Sequence, residues 1–305
     1  AQFSIGSGTK IAMEGAIALA QSLSEEGSVD QAILAYEGKR QMEVARLQRS
    51  ALVSLQWYEH ARRFNTMKPA QYAFNFLTRS KGVTYENLTL RDPAYGNGIN
   101  EWFADLVNNE QGFNIPNTPS PAPMFTPFRI GKMVVPNRVM VSPMCQYSAE
   151  DGTPNDWHMV HLGGMAVGGA GLVYTEMTNV SREGRITPGC AGMYQDAHVP
   201  AWKRIVEFVH TNSQAKLCMQ LAHAGRKGST KLPWYGSDEP LDEGNWQILS
   251  ASAIPFKPGS DTPQEMDRLD MDKVRDDFVA AAKRAEEAGF DMIELHMAHG
   301  YLLSS

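Results

Sequence analysis

Cysteine is scarce in this sequence: Cys145, Cys190 and Cys218 are the three, an odd number, and none stands in a CxxC or zinc-finger spacing. That excludes a disulfide scaffold and a cysteine-ligated zinc module, and it suits a reducing compartment. No lysine- or arginine-rich run is present and the formal charge is −6, so the bulk electrostatic attraction to nucleic acid is missing. Apolar runs fall far short of the ~20 residues a membrane span needs. Residues 1–20 carry no basic region followed by an apolar core and a cleavage site. The expectation is a soluble cytoplasmic protein, with neither nucleic acid nor membrane as partner. The chain opens without an initiator methionine and closes at HMAHGYLLSS directly after an apolar strand, which reads as a piece cut from something longer.

What is present is ordinary globular composition, 43% hydrophobic and 20% charged, ample for one or two cores. Near the start, Gly6 and Gly8 permit a tight turn, and from Thr9 the apolar residues Ile11, Ala12, Ala16, Leu19, Ala20 and Leu23 recur at helical spacing. A loop feeding a helix N-terminus leaves free N–H groups and a positive dipole able to hold an anion or an electron-rich ring edge. A glycine turn that merely starts a helix satisfies the same pattern. Ser28 and Gln31 predict a capping box, with one long or once-bent helix over residues 29–64. Its apolar stripe runs through Ile33, Leu34, Tyr36, Val44, Leu47, Ala51, Leu55 and Tyr58, and Lys39, Arg40, Glu43, Arg46 and Arg49 are expected on a solvated face. From Thr66 the periodicity fades. Residues 1–80 are therefore taken as a helical domain. Residues 81–123, ending in PNTPSPAP, are taken as a linker with one short helix at 99–107.

From Met124 the grammar changes. Apolar strand candidates at 138–142, 171–178, 215–221 and 290–296 alternate with helical stretches at 158–167, 199–212 and 271–288, the pattern of βαβ units and a parallel sheet. No GxGxxG follows the first strand, so the usual dinucleotide fingerprint is absent, although a doubly wound sheet stays open. Four strands at this spacing fit the first half of an eightfold α/β barrel over residues 124–305. A long insertion at 231–263 carries Trp234, Tyr235 and Trp246 and could form a flap.

Chemistry in such a barrel belongs at the carboxyl ends of the strands. Four features fall there: Cys145 with Tyr147 after the first, Glu176 to Thr178 at the second, Gln220 with His223 at the third, and His296 with His299 at the fourth. The two imidazoles three residues apart could bind a metal, with His158 and His161 as a second pair, but a hydrolytic zinc site wants a third ligand at set spacing. Alternatively they donate hydrogen bonds to a carbonyl or phenolate oxygen. Cys145 is a packed thiol, a nucleophile lacking a local activating signature, or a contact to a redox ring. Gln220 offers both a donor and an acceptor, as a pyrimidine-like edge requires, and equally serves as a rim hydrogen bond.

The segments FTPFRIGKMVVPNRVMVSPMCQYS, WHMVHLGGMAVGGAGLVYTEMT, GRITPGCAGMYQDAHVPAWKRI, CMQLAHAGRKGS and AGFDMIELHMAHGYLLSS, collinear over about residues 124–305, resemble the old yellow enzyme family, particularly its thermophilic-like bacterial ene-reductases. That resemblance implies an FMN-binding TIM barrel that reduces activated C=C bonds with NAD(P)H. It further implies that Ser142, Pro143, Met144, Cys145, Met177 and Gln220 meet the flavin, that Tyr147, His296 and His299 meet the substrate oxygen, and that Tyr301 donates a proton. The stretch FSIGSGTKIAMEGAIALAQSL resembles the flavin-binding end of class A FAD monooxygenases, with Gly6, Ser7, Gly8, Thr9 and Lys10 approaching FAD at a helix N-terminus. The fusion is similar to the bifunctional aromatic acyl-CoA hydroxylase/reductases that act on salicylyl-CoA or 2-aminobenzoyl-CoA. It implies oxygen-dependent ring hydroxylation of an aromatic CoA thioester followed by hydride reduction of the ring. A small-molecule aromatic or enone substrate, no metal and a homo-oligomer are the accompanying expectations.

Overall fold

The computed structural model describes residues 5–305; Phe3 and Ser4 of the glycine-turn stretch lie outside the described residues. The chain divides into two compact units. One runs to Glu110 and takes in Asn114–Pro121, and the other comprises Gln111–Phe113 and Ala122–Ser305. No helix among the described residues is long and apolar enough to cross a membrane.

The first unit is helical: α1 Gly8–Glu25, α2 Val29–Glu59, a 3-10 turn Ala61–Phe64, α3 Pro69–Thr78, α4 Tyr85–Arg91 and α5 Pro93–Gln111. Ser28 caps α2 by accepting the Gln31 N–H at 3.3 Å, without a reciprocal bond. The continuous helix expected to residue 64 ends at Glu59, where the His60 ring N–H takes the Gln56 carbonyl at 2.8 Å and the chain tightens into the 3-10 turn. Arg40, expected in solvent, is buried instead, because α1 brings Glu14 to 3.1 Å from its guanidinium while Glu43 lies at 2.7 Å. Ile33, Leu34 and Tyr58, expected in the core stripe, are exposed. The buried side of α2 is made of Ala32, Arg40, Ala51, Ser54 and Trp57. The stretch expected as a linker is largely helical. A Thr84–Asn87 capping box starts α4 and Pro93 starts α5, so local end signals prevail where hydrophobic periodicity is weak.

The second unit opens with an antiparallel hairpin, β1 Phe128–Ile130 and β2 Met133–Val135, that the sequence pattern did not announce. There follow β3 Met140–Val141, α6 Asp156–Val167, β4 Leu172–Tyr174, β5 Thr178–Asn179, α7 His198–Asn212, β6 Lys216–Ala222, the short α8 Pro233–Gly236, β7 Leu249–Ser250, β8 Gln264–Glu265, α9 Arg268–Ala288 and β9 Met292–Leu295. β3 pairs with β4, β4 and β5 pair with β6, and β6 pairs with β9, all in parallel. β4 and β5 are two pieces of the single strand expected at 171–178. The ladder breaks between them because the Thr175 hydroxyl accepts the Gln220 N–H at 3.1 Å and donates to the Glu176 carbonyl at 2.9 Å. The sheet is thus four neighbouring barrel strands in chain order, joined by α6, α7 and α9.

Alternation sorts the side chains. Val173, Leu217, Met219 and Leu221 point outward into a core with Leu162, Trp202, Ile205, Ala281 and Ala285 of the three helices. Each large side chain so buried stabilises the unit by about 1.5–3 kcal/mol. Leu172, Cys218 and Met292 point inward, against Val135 of the hairpin. α9 is started by an Asp267–Asp270 capping box and stopped by Gly289 at φ +90°, a left-handed turn that glycine takes without strain. Directly after it, Asp291 accepts from Lys216 Nζ at 2.8 Å, His210 Nε2 at 2.8 Å and the Leu217 N–H at 2.9 Å, which pins the start of β9 to β6 and α7.

Candidate active site

Because the four strands run parallel, their carboxyl ends open on one rim, and the residues that follow them meet there. Ser142 is exposed at the end of β3, where Pro143 cannot continue the ladder. Cys145 and Tyr147 then turn inward and pack with Met177, Cys190, Ala222, Ala224 and Tyr301 in one cluster. All four strand ends contribute side chains to this rim, His296 and His299 standing beside Tyr301. Tyr147 itself has φ +52°, a left-handed conformation costly for a bulky residue. Gly189 lies against its carbonyl and accepts the Ala149 N–H at 2.9 Å. The Tyr147 ring meets the edge of Trp234, on α8 of the insertion, with centroids 6.5 Å apart.

His296 is buried, its N–H bonded to the Leu221 carbonyl at 2.9 Å. Its ring stands perpendicular to His299 with centroids 5.0 Å apart, and Tyr301 lies 5.0 Å from His296 and 6.3 Å from His299. His299 is held at φ +61° by a tight turn whose Leu302 N–H donates to the His223 carbonyl at 3.1 Å. Lys227 Nζ donates to the His299 carbonyl at 3.2 Å and lies 4.8 Å from the Tyr301 ring centroid.

Burial keeps His296, the two phenols and the Cys145 thiol neutral. Burial, then the neighbouring His299, lowers His296 below the ordinary imidazole value. Burial, then the thiols of Cys145 and Cys190, raises the Tyr301 phenol, and burial likewise raises Tyr147. The Cys145 thiol is pushed up to about 12, chiefly by burial and then by Cys190 and Glu176. At neutral pH the rim therefore presents two phenol O–H groups and a neutral imidazole, all donors, and a thiol unsuited to act as a nucleophile. One layer deeper, Gln220 Nε2 donates to Glu294 Oε1 at 2.6 Å, leaving Gln220 Oε1 as an acceptor for an incoming N–H.

His158, weighed with His161 as a metal pair, instead meets Glu176, Nε2 to Oε1 at 2.8 Å. Among the described residues no three His, Cys, Asp or Glu side chains gather as a metal site. Sequence reasoning put Glu176 at a strand end and His158 in a metal pair but missed that the two meet, and it missed the places of Lys227 and Cys190 in the site; the one signal for the pairing was an acid set in an apolar strand. In the helical unit, Gly6 has φ +66° and Ser7 precedes α1 without a side-chain cap, while Lys10 pairs with Glu14 at 3.1 Å on its own helix.

Residues 123–305 match the model of the NADH:flavin oxidoreductase / NADH oxidase family, and the chain belongs to that family. It is 45% identical over 185 residues to an NADH:flavin oxidoreductase of Gibberella zeae, covering 59% of this chain and 45% of that protein. It is 39% identical over 183 residues to an NADPH dehydrogenase of a Geobacillus species, covering 59% and 49%. The chain is similar in structure to morphinone reductase, with TM-score 0.51 and 29% identity over 59% of this chain and 49% of that one. It is also similar to an old yellow enzyme of a Pichia species, with TM-score 0.52 and 30% identity over 59% and 47%. The α/β fold of residues 123–305 is thus that of part of an old-yellow-enzyme barrel. The chain spans about half the length of the curated relatives it matches.

Proposed function

We propose that the rim described above reduces a carbon–carbon double bond conjugated to a carbonyl, with NAD(P)H as the source of reducing equivalents. The observation that carries this reading is the meeting of His296, His299 and Tyr301, rings 5.0 to 6.3 Å apart, beside Cys145 and Tyr147 at the ends of parallel strands. FMN is the cofactor whose edge fits. With its NH2 donating to Glu294, Gln220 has its amide oxygen left to accept a pyrimidine N–H. Ser142, Pro143 and Met144 line the end of β3, with Cys145 and Met177 packed together beside them. Bound there, FMN supplies hydride chemistry.

The chain's own residues do the rest. The imidazoles of His296 and His299 donate to the substrate oxygen and favour the negative charge that develops on it. Tyr301, protonated because of its burial, delivers the proton that the saturated carbon requires, and Tyr147 offers a second phenol to the oxygen. Trp234 lies edge-on against the Tyr147 ring, beside the rim. The double bond takes up one hydride equivalent and one proton while NAD(P)H becomes NAD(P)+, so the balance closes.

Hydroxylation of an aromatic acyl-CoA on an FAD module is a second reading, supported by the uncapped N-terminus of α1 behind Gly6. A substrate panel on the full-length protein separates the two: simple enones for the first, salicylyl-CoA and 2-aminobenzoyl-CoA with oxygen for the second. In the same protein His299→Ala should weaken binding of a phenolic ligand and slow enone turnover. Unchanged binding and rate would remove the histidine pair from the mechanism.

A further inference from the structure

Between Cys145 and Tyr147 stands Gln146, and every polar group it has is engaged. Its N–H donates to Glu176 Oε2 at 3.2 Å and its carbonyl accepts from Ser148 Oγ at 2.9 Å. Its side chain donates to the Met144 carbonyl at 2.8 Å and accepts from Trp157 Nε1 at 2.9 Å. Glu176 is 3% exposed and His158 2%. A carboxylate this deep is tolerated only with its oxygens satisfied. One oxygen has the Gln146 N–H, and the other has His158 Nε2 at 2.8 Å.

The proton on that nitrogen is set by the start of α6. His158 is the third residue of the helix, and its Nδ1 accepts the Asn155 N–H at 3.1 Å in the capping box that Asn155 forms. Nδ1 stands equally 3.1 Å from Asn155 Oδ1, but that oxygen already accepts the Trp157 N–H at 3.0 Å, so Nδ1 serves the Asn155 N–H as acceptor and the ring N–H is on Nε2, aimed at Glu176. Asn155 also donates from Nδ2 to the Ser148 carbonyl at 2.7 Å, so the same cap ties down the far end of the loop.

We propose that Glu176 and His158 form a positioning pair: the helix cap orients His158, His158 holds the Glu176 carboxylate, and the carboxylate clamps the Gln146 N–H so that Cys145 and Tyr147 face the rim. A carboxylate that only accepts cannot be replaced there by an amide. A glutamine at 176 that keeps the bond from His158 turns its NH2 against the Gln146 N–H, donor to donor. Removal of that negative charge from behind Cys145 also eases ionisation of the thiol. The groups acting on the thiol are Cys190, Glu176, Tyr147, Tyr301 and the Met177 backbone, and Glu176 is the anion among them.

The test uses this chain and needs no cofactor. The role of the loop in reduction rests on the function proposed above, but its geometry is measured independently of that function. Amide hydrogen exchange of Gln146 and the rate of Cys145 alkylation by iodoacetamide are followed against pH, with the buried Cys190 and Cys218 as internal references. Glu176→Gln should speed Gln146 exchange and Cys145 alkylation by about tenfold or more, the effect of losing a hydrogen bond to a charged group. The alkylation profile should also move to lower pH. His158→Gln, which can donate to Glu176 and accept from Asn155, should stay near the parent, whereas His158→Leu should behave like Glu176→Gln. If folded Glu176→Gln leaves exchange, rate and pH profile unchanged, the proposal is wrong. If Glu176→Gln does not fold, the His158 pair decides, and equal behaviour of Leu and Gln at 158 overturns it.

Discussion

Gln220 donates from Nε2 to Glu294 Oε1 at 2.6 Å, one strand position below His296 on β9. A carboxylate can only accept, so the NH2 end of the amide stays on Glu294 and its oxygen is left as an acceptor. In the full-length protein Glu294→Gln should free the amide to turn and weaken FMN binding by about tenfold. Titration followed by flavin fluorescence reads this directly, and an unaltered Kd would detach Gln220 from the flavin edge.

Tyr301 is raised by burial and by the thiols beside it, so it remains a proton donor throughout the working pH range. Tyr301→Phe keeps the ring against His296 and removes the proton. Turnover of a simple enone by the full-length protein should drop by about 10²- to 10⁴-fold, the usual worth of a positioned general acid, with KM little altered. A large KM change with kcat intact would make Tyr301 a binding group instead.

Asp291 makes stability depend on pH. Burial pushes its carboxyl up, but hydrogen bonds from Lys216, the Leu217 N–H and His210 outweigh this, and the folded value lies below the ordinary 3.8. A depressed carboxylate stabilises the fold fully above its unfolded value and loses that contribution as pH falls through the folded one. The urea midpoint should therefore begin to fall as pH drops below about 5 and go on falling as pH passes through the folded value. Asp291→Asn should be about 2 kcal/mol less stable at neutral pH, with a flatter acid limb. Equal acid limbs in parent and variant would assign the loss to other carboxylates.

How legible all this was depends on the range of the interaction. The four strands and three helices of the second unit are written in local patterns, apolar runs bounded by Gly and Pro, and the rim residues follow once the strand ends are known. The Tyr147, His296 and His299 positions were readable for that reason. Gln220–Glu294 and His158–Glu176 were not, because each joins residues 74 and 18 positions apart whose pairing exists only after the sheet forms. In the helical unit the error ran the other way. Arg40 sits in a run of charges that looks solvated until α1 brings Glu14 to it. Residues 85–111 look like a linker because their helices are marked by caps rather than by an apolar stripe.

The loop carrying Cys145 and Tyr147 is also shaped from outside, by a residue with no chemistry. A Cβ added at Gly189 would run into the Tyr147 carbonyl oxygen, and its next contacts are the Tyr147 carbonyl carbon and Leu232. Two of these are backbone atoms, which cannot rotate away as a side-chain tip can. Gly189 also holds the loop through its carbonyl, which accepts the Ala149 N–H. Gly189→Ala must therefore displace Tyr147 or pull the two segments apart. The overpacking should cost about 1–3 kcal/mol in urea unfolding. Because the strain falls on Tyr147, already at φ +52°, affinity for a phenolic ligand should fall together with stability. Gly164→Ala, on α6 with open space around its added Cβ, is the control and should leave ligand affinity unchanged. Equal ligand affinity in the Gly189 variant and the parent would show that the loop relaxes without moving the phenol.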